Sequence, residues 1–330
     1  MTPAGDRPAE RRPTAGEVAA AEIARPSELL ARHGVRPNKR LGQHFLVDRS
    51  HLGRVVEAAE LTRDDVVLEI GPGMGVLTRA LAERAGRVVA VEIDAGMCAV
   101  LAETLGDDDR VSVVAADILE EAPDDLVRGP LSLAADAAGV AAHYKVVANL
   151  PYYITSAILR HVLEAPLKPS RVVVMVQREV ADRICAQPGD MSLLAVAVQY
   201  YAKPRRVAIV PAGAFHPRPK VDSAVLALDV HPTPPWQVPS EQAFFDIARA
   251  GFGQRRKQLR NSLAAGLDLS SAEAAERLAA AGIAPDRRAE TLAMAEWAAL
   301  ARAFEAAPAT ARTGGSKRSL EARARRDATP

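Results

Sequence analysis

Residues 66–85, VVLEIGPGMGVLTRALAERA, run from strand to turn to helix. VVLEI (66–70) is apolar without polar alternation, the pattern of a strand buried on both faces. EIGPGMG (69–75) closes that strand and opens a helix. Glycines there let the backbone approach a ligand closely, and the helix N-terminus offers free N–H groups. A dinucleotide fingerprint places its third glycine where this chain has Val76, so a nicotinamide reading fits poorly.

The same unit recurs on either side. Leu52, Val55, Val56 and Ala59 stand at helical spacing before it. RVVAVEI (87–93), VSVVAAD (111–117), KVVANL (145–150) and RVVVMVQ (171–177) follow, each ahead of a helical or loop segment. Strands alternating with helices predict an α/β fold, a Rossmann-like, doubly wound parallel sheet. VAIVP (207–211) and AVLALDV (224–230) are expected to pair as an antiparallel edge. Residues 121–144 read as a long irregular insertion. HPTPPWQVP (231–239) is proline-dense and marks a domain boundary. Beyond it the pattern turns helical: Ser270 and Glu273 form a capping-box pair, and Trp297, Leu300, Ala301 and Phe304 share one helix face. The expected organisation is a disordered extension over 1–25, a Rossmann-like domain over 26–235, a small all-helical domain over 236–308 and a basic disordered tail over 309–330.

Composition narrows the class. Hydrophobic residues make up 48% and charged residues 25%, which permits a real core. The net charge of +1 names no partner, so any nucleic-acid site must be a local patch. Cys98 and Cys185 are the only cysteines, without metal-like spacing, so neither a disulfide framework nor a metal site is expected. No apolar run is long enough for a membrane span, and the first residues lack a signal-peptide core. A cytoplasmic protein with no membrane partner is expected.

Acidic residues then recur at strand ends. Glu92 closes the second strand, where a carboxylate can accept both hydroxyls of a ribose. Asp117 closes the third and can accept from an exocyclic amine. Ligands of open parallel sheets bind outside the carboxyl ends of the strands, the edge at which Gly71, Gly73, Glu92, Asp117 and Asn149 fall. This array resembles the S-adenosylmethionine-dependent methyltransferases. There the glycine turn lies under the methionine part, the second-strand acid binds the ribose and the third-strand acid reads the adenine.

VANLPYYIT (147–155) ends the next strand. Asn149-Leu150-Pro151-Tyr152 resembles the motif of enzymes that methylate exocyclic amines. An adenine N6 lone pair is delocalised into the ring, so the nitrogen needs acceptors for its two N–H groups as it becomes tetrahedral. The Asn149 side-chain oxygen and the Leu150 carbonyl can supply them. Pro151 fixes the backbone, and Tyr152 offers a face for stacking the base.

The chain further resembles the KsgA branch of the rRNA adenine dimethyltransferases. The likeness lies in RLGQHFLVD (40–48), NLPYYIT (149–155), QREVA (177–181), FHPRPKVDS (215–223), QRRKQLRNSL (254–263) and RAETL (288–292), and covers about 36–305. It implies transfer of four methyl groups from S-adenosylmethionine to N6 of two adjacent adenines in the 3′-terminal hairpin loop of 16S rRNA. It also implies a role in maturation of the small subunit, immature subunits as partners, and a monomer. The family's cofactor positions carry over to His44, Leu46, Gly71, Gly73, Glu92, Asp117 and Asn149. His44 stands where Asn is usual; it can still donate a hydrogen bond. Phe215 is the candidate for the second face of the flipped base, opposite Tyr152.

Phosphate contacts are expected from Lys39, Arg40, Arg218, Lys220, Arg255, Arg256 and Lys257. Aromatic residues are only 4%, which favours shape recognition of an RNA helix with one or two bases pulled out. Two other readings compete. One is a large-subunit (23S) rRNA adenine methyltransferase of the macrolide-resistance type. The other is a non-catalytic nucleic-acid-binding assembly factor, whose sign would be a damaged pocket.

Overall fold

The structure, a computed structural model, describes residues 26–38, 41–138, 143–254 and 256–306. The readings of both tails, and of Lys39, Arg40 and Arg255, fall outside the described residues. The chain divides into two compact units between Pro235 and Trp236.

The first unit begins with α1 (Pro26–Arg32), β1 (Phe45–Leu46), α2 (Arg49–Ala58), β2 (Val66–Ile70), α3 (Val76–Ala82), β3 (Arg87–Glu92) and α4 (Ala95–Leu105). It continues with β4 (Val111–Ala115), α5 (Pro123–Ala138), β5 (Tyr144–Asn149), α6 (Thr155–Glu164), β6 (Arg171–Gln177), α7 (Arg178–Ile184) and α8 (Leu193–Tyr201). Strands β7 (Ala202–Val210), β8 (Phe215–His216) and β9 (Ser223–Val230) complete it. The seven-stranded sheet has the order β4-β3-β2-β5-β6-β9-β7. Its first five strands are parallel; β9 is antiparallel to both β6 and β7. The chain winds outward from β2 to β4, then returns to place β5 on the other side of β2. The order therefore reverses between β2 and β5, the crevice where such sheets bind ligands.

Burial follows the apolar runs. Every residue of β2 is buried, and Val172–Val176 of β6 likewise. The helices start where side chains can cap them. Asp48 accepts from the Ser50 and His51 amides ahead of α2, and Asp94 from the Gly96 and Met97 amides ahead of α4. The last two long strands pair as expected, from Ala202↔Val230 to Val210↔Ser223. Strand β7 starts earlier than its apolar core and carries Lys203, Pro204, Arg205 and Arg206. It is an edge strand, where charges and a proline discourage pairing with a further chain.

One expectation is corrected. Within 121–144, residues 123–138 form α5 rather than irregular chain. Gly129 and Pro130 read as breakers, yet the helix opens on Pro123 with Asp124 and Asp125 in its first turn, all favourable there. Pro130 sacrifices one backbone bond, and α5 supplies the crossover between β4 and β5.

The second unit holds α9 (Glu241–Phe252), α10 (Leu259–Leu267), α11 (Ser271–Ala280) and α12 (Met294–Ala306). The capping box forms: the Ser270 hydroxyl accepts from the Glu273 amide at 3.1 Å, and the Glu273 carboxylate from the Ser270 amide at 2.8 Å. Trp297 is wholly buried and stacks on Phe252. A Cβ on Gly251 would stand 2.6 Å from the Trp297 ring, so only glycine admits the indole there.

Candidate active site

A cavity of about 240 Å³ opens at the carboxyl ends of β2, β3, β4 and β5. Sheet register explains why. Ile70 pairs with Val91 and with Ala148, so Gly71, Glu92 and Asn149 emerge at one level of the edge. Asp117 follows two residues beyond β4. All of these line the cavity, as do His44, Leu46, Gly73, Leu150, Pro151 and Tyr152.

The turn after β2 is built around positive φ. Gly73 has φ +56, and a Cβ there would approach the Phe45 ring to 2.9 Å. Its amide donates to Glu92 Oε2 at 3.2 Å, and the Asp94 amide donates to Oε1 at 2.9 Å. These bonds aim the Glu92 carboxylate without using all its lone pairs. Burial pushes the Glu92 carboxyl above its ordinary range, against the pull of these two amides. Asp117 Oδ1 accepts from the Leu119 amide at 2.9 Å, which leaves its other oxygen free to accept.

Asn149 is oriented unambiguously. Its Nδ2 donates to the His44 backbone carbonyl at 2.8 Å. A carbonyl can only accept, so the amide nitrogen must face it and Oδ1 must point away. The strap that supplies His44 is itself tied down. Gln43 Nε2 donates to Asp94 Oδ2 at 3.0 Å, and β1 pairs with β8 through Phe45↔His216 and Leu46↔Phe215. The departure from Asn at His44 therefore leaves Asn149's anchor intact, because a backbone atom provides it. The imidazole itself turns towards the loop after β8, where its Nδ1 donates to the Pro217 carbonyl at 2.7 Å. The ring stacks on Tyr152 with centroids 5.7 Å apart and planes 26° from parallel. Tyr152 is further fixed by its hydroxyl, 2.6 Å from Ser223 Oγ. Its phenol is pushed up by burial, opposed by that hydrogen bond.

Phe215 is a correction. It does not line the cavity; it is 4% exposed, packed in the core with Met175, Val210 and Val225. Its strand pairs with β1, and the buried ring presents no face to the cavity in this structure. Arg218 and Lys220 are exposed in the loop after β8, and Arg256 and Lys257 are exposed in the helical unit.

Glu69, which no sequence motif singles out, is brought into the cavity wall. It is 1% exposed, and its Oε2 has no hydrogen-bond partner. Burial pushes its carboxyl up to about 8; the nearby Glu92 charge adds to this. The Thr78 hydroxyl opposes the shift but makes no hydrogen bond of good geometry. One signal is visible in the sequence: a charged residue inside the otherwise apolar VVLEI. Among the described residues that line the cavity there are three carboxylates and no Lys or Arg.

A family model described as ribosomal RNA adenine dimethylase matches residues 34–305. The chain belongs to the ribosomal RNA adenine dimethylase family. Ribosomal RNA small subunit methyltransferase A of Dehalococcoides mccartyi is 44% identical over 286 residues, 87% of this chain and 94% of that one. The protein of the same name from Moorella thermoacetica is 46% identical over 288 residues, 86% of this chain and 99% of that one. Among solved structures, the 23S rRNA methyltransferase ErmE is 29% identical with a TM-score of 0.62, covering 79% of this chain and 99% of its own. A dimethyladenosine transferase from Plasmodium falciparum, 22% identical with a TM-score of 0.65, covers 79% of this chain and 98% of its own and shares the fold.

Adenine dimethylases are methyltransferases that take the methyl group from S-adenosylmethionine. The cavity fits that donor on its own chemistry. The donor carries a sulfonium and an ammonium against a single carboxylate, a net positive charge, and the wall offers Glu69, Glu92 and Asp117 with no competing cation among the described residues. The unpartnered Glu69 Oε2 is the kind of buried group that a positive ligand would satisfy.

Proposed function

We propose that this dimethylase acts on the small ribosomal subunit. It transfers methyl groups to N6 of two adjacent adenines in the 3′-terminal hairpin loop of 16S rRNA, works on immature subunits in the cytoplasm as a monomer, and contributes to their maturation. The observation that carries the reading is the Asn149 amide, held by the His44 carbonyl so that Oδ1 is left to accept.

Bound S-adenosylmethionine supplies an activated methyl group on a sulfonium that departs as a thioether. Glu92 accepts the ribose hydroxyls with lone pairs not used by Gly73 and Asp94. Asp117 accepts the adenine amine of the donor, and Glu69 offsets positive charge. Gly71, Gly73, His44 and Leu46 complete the donor site through backbone and shape. Asn149 Oδ1 and the Leu150 carbonyl accept the two N–H groups of the target adenine as its nitrogen becomes tetrahedral. Neither is a strong base, so proton loss follows or accompanies methyl transfer. Pro151 holds the two acceptors together, and Tyr152 stacks on the base with the face that His44 leaves free. Positioning and fixed dipoles supply the catalysis. Arg218, Lys220, Arg256 and Lys257, with Lys39, Arg40 and Arg255, contact phosphates.

The relatives at 44% and 46% identity are named for the small subunit, whereas ErmE, named for 23S rRNA, is 29% identical. The test is to incubate the purified protein and S-adenosylmethionine with immature small subunits and, separately, with naked large-subunit RNA, and locate the product by mass spectrometry. Dimethyladenine at adjacent positions of the small-subunit hairpin is expected. Methylation of the large-subunit RNA alone would favour the macrolide-resistance reading, and product from neither would favour the assembly factor.

A further inference from the structure

Tyr153 follows the motif residues and has no part in the chemistry above. It is 60% exposed, the most exposed of the large hydrophobic residues described. It nevertheless lines the cavity, beside a Tyr152 that is partly buried. The two neighbouring tyrosines are thus held differently. Tyr152 is pinned by Ser223 and His44. Tyr153 stands beside the strap: a Cβ on Gly42 would lie 3.5 Å from its Cδ1 and 3.7 Å from its Cε1. The same position would lie 3.7 Å from Pro151 Cβ. The ring has Gly42 along one edge and is otherwise largely exposed. A tyrosine ring costs little entropy to order, because only two side-chain torsions must be fixed.

We propose that Tyr153 is the stacking platform for the base next to the adenine being methylated. This rests on the rRNA reading above. When one base enters the cavity against Tyr152, its neighbour in the strand loses a stacking partner and stays at the mouth. An exposed ring there replaces that partner, and stacking tolerates any base because every base has a π-face. Tyr153 therefore positions substrate and leaves the reacting atoms alone.

The experiment compares wild type, Tyr153→Ala and Tyr153→Phe. Steady-state methylation of immature small subunits gives KM and kcat. Fluorescence of 2-aminopurine, placed beside the target adenine in a hairpin RNA, reports stacking directly. For Tyr153→Ala, KM should rise roughly 5- to 150-fold while kcat changes little and S-adenosylmethionine affinity is unchanged. The binding-induced quench of 2-aminopurine should be lost. Tyr153→Phe should restore both. An unchanged KM and quench in Tyr153→Ala, with wild type active, would overturn the proposal. So would a loss confined to donor affinity, which would make Tyr153 a wall of the donor site. Wild type that methylates neither subunit's RNA would remove the rRNA reading itself, and is read before any variant is compared.

Discussion

The two ends of the central sheet treat acidic residues in opposite ways. At the amino ends of the strands, Asp65, Glu60 and Asp229 are each met by a cation. Lys145 Nζ lies 2.9 Å from Asp65 Oδ2 and donates to the Glu60 carbonyl at 2.7 Å. Arg171 forms ion pairs with both Glu60 and Asp229 and holds the Glu60 carboxyl below its usual range. At the carboxyl ends, Glu69, Glu92 and Asp117 share one cavity with no Lys or Arg among its described lining residues. Burial pushes Glu69 and Glu92 upward instead. A folded chain rarely leaves buried charge uncompensated. One end of the sheet is complete in itself; the other is completed by a positive ligand.

This contrast can be broken from either side. Lys145→Ala removes the cation of a largely buried pair and should cost about 3 kcal/mol of stability, seen as a lower Tm. Donor affinity of the folded fraction should not change. Glu92→Ala should do the reverse: donor affinity falls roughly 10- to 150-fold in calorimetry, from the loss of charge-assisted hydrogen bonds, with a smaller fall in Tm than Lys145→Ala, because relief of the buried charge offsets the two amides left unpaired. If the two variants gave the same signature, the two ends would not differ in function.

Glu69 gives a finer test through pH. Its folded pKa of about 8 lies above the ordinary 4.5, so the folded state holds a proton that the unfolded chain releases in between. The associated stability is complete below 4.5 and is lost as pH rises through about 8. Stability of the ligand-free wild type should therefore fall across that window, and Glu69→Gln should flatten the fall. Donor binding near pH 7 should expel up to about one proton in wild type and fewer in the variant, read from calorimetry in buffers of different ionisation enthalpy.

Much of this is legible in the sequence because strand periodicity carries it. Five apolar runs predict five parallel strands, and their ends put Gly71, Glu92, Asp117 and Asn149 on one edge of the sheet. Phe215 is misread because its direction depends on β1 pairing with β8, two-residue strands far apart in the chain that leave no periodic trace. Helix α5 is hidden by Gly129 and Pro130, whose local preference loses to the packing of the crossover. The tie from Asn149 to the His44 carbonyl is not legible at all, since backbone partners leave no mark on residue type.

The measurement that bears most directly on the methyl-transfer site is the dimethyladenosine content of small-subunit rRNA after incubation with wild type or Asn149→Ala, together with co-sedimentation of each protein with immature subunits. Loss of a preorganised hydrogen-bonding group at a reacting centre costs roughly 10²- to 10³-fold in rate. Wild type should give two adjacent N6,N6-dimethyladenines, and Asn149→Ala should bind the subunit equally well while methylating it at least that much more slowly. An Asn149→Ala protein that methylates at the wild-type rate would contradict the role given to the amide, and with it the reading of the cavity as a methyl-transfer site.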